Sequence, residues 1–215
     1  MFKQPKVSVL LAIYNTPFEL VKRAINSVLH QNMNDFELII IDDGSDEIYQ
    51  LDLVKYTELL PSIITYIYHP NCGQAESINR GITKSCGEFI TIIDADDEFK
   101  TNHLSSCLEQ MKHADLIAST THTIVDNDAD YYIPDRLDKS KVIHVDDCIL
   151  FATLFGKREV FINNSFYSMY GADANFYERV SKKYIVKKVD LRTYIYYRNI
   201  PNSTCAKLKS SLLQS

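Results

Sequence analysis

Residues 88–97 have the sequence EFITIIDADD, in which a short apolar run ends in three carboxylates. The β-branched residues of this run favour a buried strand. Because unpaired charges are too costly to bury inside a strand, Asp94, Asp96 and Asp97 are expected where the strand leaves the sheet and meets solvent. In an open parallel sheet, ligands bind at the carboxyl ends of the strands. The stretch therefore predicts a buried strand that leads into a ligand site.

The spacing of Asp94 and Asp96 adds a chemical expectation. Side chains two residues apart in extended backbone lie on the same side, and two such carboxylates suit a divalent cation that also bridges phosphate oxygens. The alternative is a solvated turn before a helix, because Asp97 and Glu98 precede a helical pattern. The D-x-D pair by itself leaves both interpretations open.

Composition narrows the class of protein. The chain has 215 residues, 46% of them hydrophobic and 24% charged, which is typical of a packed globular domain. A net charge of -5 argues against a nucleic-acid partner. No apolar run is long enough for a membrane span, and residues 1–6 show no signal-peptide pattern. Five irregularly spaced cysteines favour free thiols, so we expect a cytoplasmic location, with peripheral association at the membrane face left open.

The first half of the chain alternates between strand and helix patterns, which predicts an α/β domain with a largely parallel sheet. Strands are predicted at residues 7–13, 36–41, 63–68, 89–93 and 116–118. Helices are predicted at residues 18–31, 46–58, 73–85 and 101–113, the first with Thr16 as N-cap and Pro17 as first helical residue.

The second half has weaker periodicity. The sequence predicts a hairpin over residues 122–134, a short helix at 146–151, a longer helix at 173–183, and late strands at 185–189 and 194–197. No linker rich in proline, glycine or serine divides the chain, so we expect a single domain.

Four segments in the first half resemble family 2 glycosyltransferases. They are PKVSVLLAIYN at residues 5–15, FELIIIDDGS at 36–45, NCGQA with NRGI between 71 and 82, and GEFI leading into IDADD at 87–97. After residue 120 the resemblance rests on GKREVF at 156–161, GAD at 171–173 and Tyr197-Arg198. It implies a GT-A fold, a Rossmann-like mostly parallel sheet flanked by helices with a smaller mixed sheet on the acceptor side. Residues 1–119 would be the nucleotide-sugar-binding half and 120–215 the acceptor half.

The resemblance also implies an activity. A sugar would move from a nucleotide-diphosphate donor, expected to be a UDP-sugar, to a carbohydrate or lipid-linked acceptor in surface polysaccharide synthesis. The expected enzyme is a hexosyl- or N-acetylhexosaminyl-transferase that inverts the anomeric centre and uses Mn²⁺ or Mg²⁺. The alternative is a nucleotide-sugar-binding module whose transferase activity has decayed.

Nucleotide-binding residues follow from the matching motifs: Ala12, Tyr14, Asn15, Asp42, Asp43, Arg80, Asp94, Ala95 and Asp96. Tyr14 could stack on the base, or it could pack on the core at the helix entry. The two aspartates after the second strand could accept from base or ribose, or form an ordinary turn. Arg80 is expected to position the aspartates more than to contact phosphate. Asp96 is expected to be the main metal ligand, with Asp94 on the ribose side and sharing the ion.

The general base implied by the resemblance is the acid that opens a late helix, which places Asp173 in that role. Ala172 departs from the family, which often has glutamate there. A helix N-cap is the alternative role for Asp173. A second departure is the lack of a histidine after Tyr197-Arg198, which leaves water or Asn202 as the alternative metal ligand. None of the six histidines has metal-ligand spacing to another, so none is predicted to bind metal.

Overall fold

The structure, a computed structural model, describes residues 4–138 and 140–200, so Asn202 lies outside the described residues. The strands are β1 (Val7–Ile13), β2 (Phe36–Asp42), β3 (Ile64–Tyr68), β4 (Phe89–Asp94), β5 (Glu98–Phe99), β6 (Leu116–Ile124), β7 (Tyr132–Pro134), β8 (Val142–His144), β9 (Leu154–Lys157) and β10 (Val186–Tyr197). The helices are α1 (Phe18–Leu29), α2 (Glu47–Glu58), α3 (Gln74–Lys84), α4 (His103–Gln110), α5 (Arg158–Ile162) and α6 (Ala172–Val180). Among these helices, none has the length and apolar character needed to cross a membrane.

The main sheet has the order β3-β2-β1-β4-β9-β6-β10-β5, and its first four strands are parallel. Alternate residues of β1 pack against opposite layers, with Leu11 facing the cluster that contains α1 and Leu10 facing the cluster that contains α3. Burial on both faces explains the near-continuous apolar run of β1. The predicted α/β architecture with a mostly parallel sheet is confirmed.

The register of the parallel strands positions the candidate site. Ala12 of β1 pairs with Asp94 of β4, and Ile13 pairs with Asp42 of β2. The two acidic strand ends therefore leave the same edge of the sheet, one on each side of β1.

Strand β9, which the sequence pattern did not predict, lies antiparallel between β4 and β6. It has four residues and includes Gly156, so it carries little strand signal. The glycine is required by packing, because a Cβ there would lie 2.6 Å from the Leu116 side chain and 2.9 Å from the Asp115 carbonyl oxygen. This strand joins the nucleotide half to the acceptor half within one sheet.

The predicted hairpin over residues 122–134 is wrong. The strand predicted at 116–118 continues to Ile124 and pairs in parallel with β10, His122 facing Ile195. Residues Tyr132–Pro134 instead pair with Val142–His144 in a separate two-stranded sheet. Alternating hydrophobicity signals a strand but does not identify its partner, and here the partner is about 70 residues away in the chain.

Other boundaries also differ from the predictions. The two late strands are one strand with an irregularity between Val189 and Tyr194. The helix predicted at 146–151 is replaced by 3₁₀ turns at Val145–Asp147 and Phe151–Thr153. Glu98–Phe99 forms a strand, so the helix predicted from residue 101 begins only at His103 and ends at Gln110. The N-cap of α1 is Pro17 rather than Thr16, one residue later than predicted.

Candidate active site

A tight turn at the end of β4 presents the D-x-D carboxylates. The Asp97 amide donates to the Asp94 carbonyl oxygen at 3.2 Å, which closes the turn directly after the strand. Asp94 and Asp96 are half-buried, whereas Ala95 and Asp97 are buried. The backbone at Ala95 and Asp96 is a turn, so the extended conformation predicted for the pair is wrong, but two of the three carboxylates, those of Asp94 and Asp96, still face outward.

Asp97 points into the protein, so the expectation that all three aspartates meet solvent is wrong for this residue. Its Oδ2 accepts from the Tyr194 hydroxyl and its Oδ1 from the Tyr197 amide, both at 2.8 Å. The same hydroxyl accepts from the Asp94 amide at 3.0 Å. Burial and the neighbouring Asp94 and Asp96 raise the pKa of Asp97 well above its usual range. A hydrogen-bonded carboxyl can be buried where an unpaired one cannot, and this one fixes the turn.

The two outward carboxylates lie in a poorly solvated and repulsive environment. Burial, the nearby Asp96 and the nearby Asp173 raise the pKa of Asp94 to about 7, against a hydrogen bond from the Gln74 amide at 2.9 Å. Burial also raises the pKa of Asp96. Within the described part of the chain, no lysine or arginine forms an ion pair with either carboxylate. A divalent cation would offset this repulsion, so the two aspartates fit the predicted metal.

Arg23 supports the turn from α1. Its guanidinium donates to the Asp96 carbonyl oxygen, lies 4.0 Å from the centre of the Tyr197 ring, and approaches the Glu98 carboxylate at 3.4 Å. Its charge opposes the rise in the pKa of Asp96. The sequence carried no signal for this role, because an arginine on an amphipathic helix is usually solvent-exposed.

At the end of β2, the carboxylates of Asp42 and Asp43 already have hydrogen-bond donors. Asp42 accepts from the Ser45 amide at 2.8 Å and from the Tyr66 hydroxyl. Asp43 accepts from two amides of the loop between β3 and α3, Cys72 at 2.7 Å and Gly73 at 2.9 Å. Both aspartates are buried. The structure gives both a role in shaping the turn, and their contact with base or ribose stays a prediction.

The exit of β1 lies between these two acidic ends. The Tyr14 side chain is 53% exposed, which argues against its alternative role as a core residue. Asn15 has a φ of 46° and donates its amide to the Ser45 hydroxyl at 2.9 Å, and its side-chain oxygen accepts from the Asp46 amide. Ala12 is half-buried beside Asp94. The structure therefore places an accessible aromatic ring at the predicted base site.

Arg80 is exposed on α3, where it pairs with Glu76 at 3.6 Å. Within the described residues it forms no ion pair with Asp94 or Asp96. The contact between this helix and the D-x-D comes instead from Gln74 in its first turn. A glutamine in a helix start gave no signal in the sequence, because its partner is 20 residues further along the chain.

Asp173 reaches the same site from the acceptor half. Gly171, in left-handed conformation, is the N-cap of α6, so the alternative role of Asp173 as the N-cap is wrong. The Asp173 carboxylate accepts from the Ala174 amide at 2.8 Å. Burial raises the pKa of Asp173, whereas hydrogen bonds from backbone amides, among them that of Ala174, and the charge of Arg136 lower it. Its charge also raises the pKa of Asp94, so the two carboxylates are near enough to repel each other.

Arg136 is a second basic residue at the site that the sequence did not indicate. Its side chain covers Gly171 so closely that a Cβ there would lie 2.1 Å from Arg136 Cδ. It also pairs with Glu178 of α6. The arginine thus holds the start of α6 and supplies positive charge near Asp173.

Comparison with known sequences yields a family match and several relatives. The family profile "Glycosyl transferase family 2" matches residues 8–175. The putative colanic acid biosynthesis glycosyl transferase WcaA of Escherichia coli is 38% identical over 55% of this chain and 44% of its own length. An uncharacterized glycosyltransferase of Nostoc sp. is 34% identical over 54% of this chain and 36% of its own length. The matched region therefore spans less than half of these relatives.

Two solved structures have the same fold. The mannosyltransferase PcManGT of Pyrobaculum calidifontis, in complex with GDP-Man and Mn²⁺, superposes with a TM-score of 0.72 at 15% identity, covering 99% of this chain and 62% of that chain. TarS 1–349 of S. aureus, in complex with UDP-GlcNAc, superposes with a TM-score of 0.71 at 15% identity, covering 92% of this chain and 60% of that chain. At this identity the likeness concerns the fold alone, and the predicted GT-A fold is confirmed.

Proposed function

Since the chain belongs to glycosyl transferase family 2, we propose that it transfers a sugar from a nucleoside-diphosphate sugar to a carbohydrate or lipid-linked acceptor. The observation that supports this most is the electrostatic proximity of Asp94 and Asp173. One lies at the end of a nucleotide-half strand and the other at the start of an acceptor-half helix. Donor-side carboxylates and a candidate base thus converge on one region.

For the donor, we propose a UDP-sugar that carries a hexose or an N-acetylhexosamine. The base would stack on Tyr14, with Asp42 and Asp43 as acceptors for base or ribose. Backbone at Ala12, Asn15 and Ala95 would line the pocket, and Arg80 would help to position the aspartates of the D-x-D. The solved neighbours carry UDP-GlcNAc and GDP-Man, so the panel of donors to be tested includes both bases.

For the metal, we propose Mn²⁺ or Mg²⁺ held mainly by Asp96 and shared by Asp94. The desolvation and mutual repulsion of the two carboxylates support a bound cation. When bound, it would neutralise the charge that develops on the departing diphosphate. Among the structural neighbours, PcManGT was solved with Mn²⁺.

For the chemistry, we propose a single displacement with inversion. Asp173 takes the proton of the acceptor hydroxyl as its oxygen attacks the anomeric carbon. The bond from that carbon to the phosphate oxygen breaks, and its electron pair leaves with the diphosphate. The raised pKa of Asp173 suits a base, because a carboxylate of ordinary pKa is a weak proton acceptor near neutrality.

We also propose a setting for the reaction, in surface polysaccharide synthesis at the cytoplasmic face of a membrane. The E. coli relative is named for colanic acid biosynthesis. Cys72, Cys86, Cys107 and Cys148 are free thiols, which supports a reducing compartment.

The test is a panel of UDP- and GDP-sugars assayed with Mn²⁺ or Mg²⁺, with release of free nucleoside diphosphate as the readout. Asp173→Asn should bind donor normally and transfer sugar about 100-fold or more slowly, the usual weight of acid–base catalysis. Glu159→Gln is the matched control, because it removes an exposed carboxylate from the first turn of α5 and should leave turnover unchanged.

Near-normal turnover by Asp173→Asn at an unchanged melting temperature would remove this residue as the base. Donor binding by the native protein without turnover of any donor would instead favour the decayed binding module.

A further inference from the structure

Three side chains at the loop between β3 and α3 form a compact cluster. The carboxylate of Asp43, the imidazole of His69 and the thiol of Cys72 each offer a ligand atom, and these atoms all lie within 4.8 Å of one another. Among residues 4–138 and 140–200, no other trio of histidine, cysteine or acidic side chains is this close. We propose that Asp43, His69 and Cys72 bind a Zn²⁺ ion. Because Asp43 is also one of the two aspartates proposed for the base or ribose, zinc would leave that contact to Asp42.

The geometry of the cluster matches that of a zinc site. Asp43 Oδ1 lies 3.5 Å from Cys72 Sγ and 3.6 Å from His69 Nδ1, and the sulfur lies 3.5 Å from the same nitrogen. In a tetrahedral site with bonds of about 2.3 Å to sulfur and about 2.0 Å to nitrogen and oxygen, ligand atoms are roughly 3.3–3.6 Å apart. The three atoms therefore already form one face of a tetrahedron, and water would complete it.

The donor set selects the metal. A thiolate and an imidazole favour zinc, whereas Mg²⁺ and Mn²⁺ prefer oxygen ligands such as those of the D-x-D. The thiolate and the carboxylate together neutralise the charge of the ion. This neutrality matters because the cluster lies beside the start of α3, where the helix dipole disfavours a net positive charge.

Zinc binding requires the Cys72 thiol to lose its proton and His69 Nδ1 to be unprotonated. Partial burial and the hydrogen bond to Asp43 raise the pKa of the Cys72 thiol, so zinc would displace the thiol proton to solvent. Without metal, His69 Nδ1 donates to the Pro70 carbonyl oxygen at 2.9 Å, and Nε2 lies 3.3 Å from the Ser77 hydroxyl. Zinc at Nδ1 would replace the first hydrogen bond and move the ring proton to Nε2, where the Ser77 hydroxyl accepts it and fixes the ring.

The surroundings keep two of the ligands in place and leave the third accessible. The Cys72 and Gly73 amides hold the Asp43 carboxylate, and His69 is buried. Cys72 is exposed, so an ion can reach the cluster from solvent. Zinc would tie the ends of β2 and β3 to the start of α3, two residues before Gln74, the donor to Asp94. A site at this position stabilises the loop that supports the D-x-D.

Co²⁺ is the probe for this site, because thiolate-bound tetrahedral Co²⁺ has a charge-transfer band that oxygen ligands do not produce. Metal-free protein should bind one Co²⁺ per chain with this band, and one equivalent of Zn²⁺ should remove it. Cys72→Ser should lose the band and bind Zn²⁺ at least about 10-fold more weakly, since even changes outside the ligand sphere can cost that much.

The controls separate this site from others. Cys86→Ser removes the other exposed thiol and should keep the band. Asp96→Asn should also keep it, so failure of the proposed transferase metal site would not affect this result. His69→Gln and Cys72→Ala, checked for a native far-UV spectrum, test the ligands further. Absence of the band in the native protein, or its survival in both Cys72 variants, would overturn the proposal.

Discussion

Two acidic strand ends lie on either side of β1 and differ in how their carboxylates are satisfied. After β2, Asp42 and Asp43 accept from backbone amides, a hydroxyl and a side-chain amide. After β4, Asp94 accepts from one side chain among the described residues, that of Gln74. Burial raises the pKa of both Asp94 and Asp96, and repulsion adds to the rise at Asp94. The same sequence pattern, an apolar run followed by aspartates, thus ends in a hydrogen-bonded turn at β2 and in the candidate ligands of the transferase metal at β4.

This difference identifies what decides the role of a carboxylate at a strand end. Segments distant in sequence bring amide and hydroxyl donors to the β2 end, and those donors satisfy most of the lone pairs of its carboxylates. The β4 end offers few donors to Asp94 and Asp96, so desolvation destabilises their ionised forms, and a bound cation would offset that destabilisation. The β2 end should therefore respond to mutation mainly in stability, and the β4 end mainly in activity.

The largest expected effect is on transfer by Asp96→Asn. Removing the main metal ligand should lower transfer about 100-fold or more, because stabilisation of a departing diphosphate by a metal is worth several kcal/mol. Calorimetry should show that metal-dependent binding of UDP or GDP weakens in parallel, while the melting temperature is maintained or rises. An unchanged metal-dependent affinity would remove Asp96 from the metal site and weaken the contrast between the two strand ends.

The next effect is on stability, and it concerns Asp43→Asn. The new amide group would face the Cys72 or the Gly73 N–H, which leaves a partly buried donor without an acceptor. The free energy of unfolding in urea should fall by about 2–3 kcal/mol. The measurement is made in chelator so that no bound metal contributes.

Asp94→Asn is the control at the other strand end. It removes a carboxylate whose pKa is raised to about 7, so it should not destabilise the protein at pH 8. If both variants lose similar stability, the two ends are not distinguished by their hydrogen bonds.

A third effect is smaller and concerns the ring between the two ends. Tyr14→Ala should weaken binding of a nucleoside diphosphate by about 1–3 kcal/mol, the scale of base stacking on an aromatic ring. Tyr14→Phe should retain most of the affinity, because the stacking face is kept. Tyr132→Ala is the exposure-matched control, since this tyrosine is 49% exposed on β7 in the acceptor half. A loss by Tyr14→Ala of less than a few tenths of a kcal/mol would remove Tyr14 from the base pocket.

The sequence predicted those parts of the fold and site that depend on local signals. Apolar runs located β1, β2 and β4, and their parallel order brought Asp42 and Asp94 to the same edge. What it missed depends on contacts between distant residues. Strand β9 has four residues, and its place between β4 and β6 is set by pairing alone. Likewise, the hydrogen bond that buries Asp97 comes from Tyr194, 97 residues away.

His103 illustrates the same limit, because it carried no signal in the sequence yet lies behind the β4 end. Its ring stacks on Phe99 at 3.9 Å, meets the edge of Tyr194, and lies 2.8 Å from the Thr193 hydroxyl through Nδ1. Burial lowers its pKa to about 3. The neutral ring is therefore part of the packing that supports the Asp97–Tyr194 pair.

The smallest expected effect follows from this burial and depends on pH. A histidine whose folded pKa is below its unfolded value of about 6.5 stabilises the protein fully above pH 6.5, and this contribution is lost as the pH falls toward 3. Between pH 7.5 and 5.5 this loss should be about 1.4 kcal/mol. It is measured in chelator as the difference in free energy of unfolding between the native protein and His103→Gln, because the raised pKa values of Asp94 and Asp97 change the total in the opposite direction. His103→Gln should lack this part of the pH dependence, whereas His30→Gln, on the exposed end of α1, should keep it. Because His103 packs behind β4 and not β2, the protection factor for amide exchange should fall on acidification at Asp97 before it does at Asp43. An equal fall at both residues would mean that the two strand ends open together, and the contrast between them would then hold only for their chemistry.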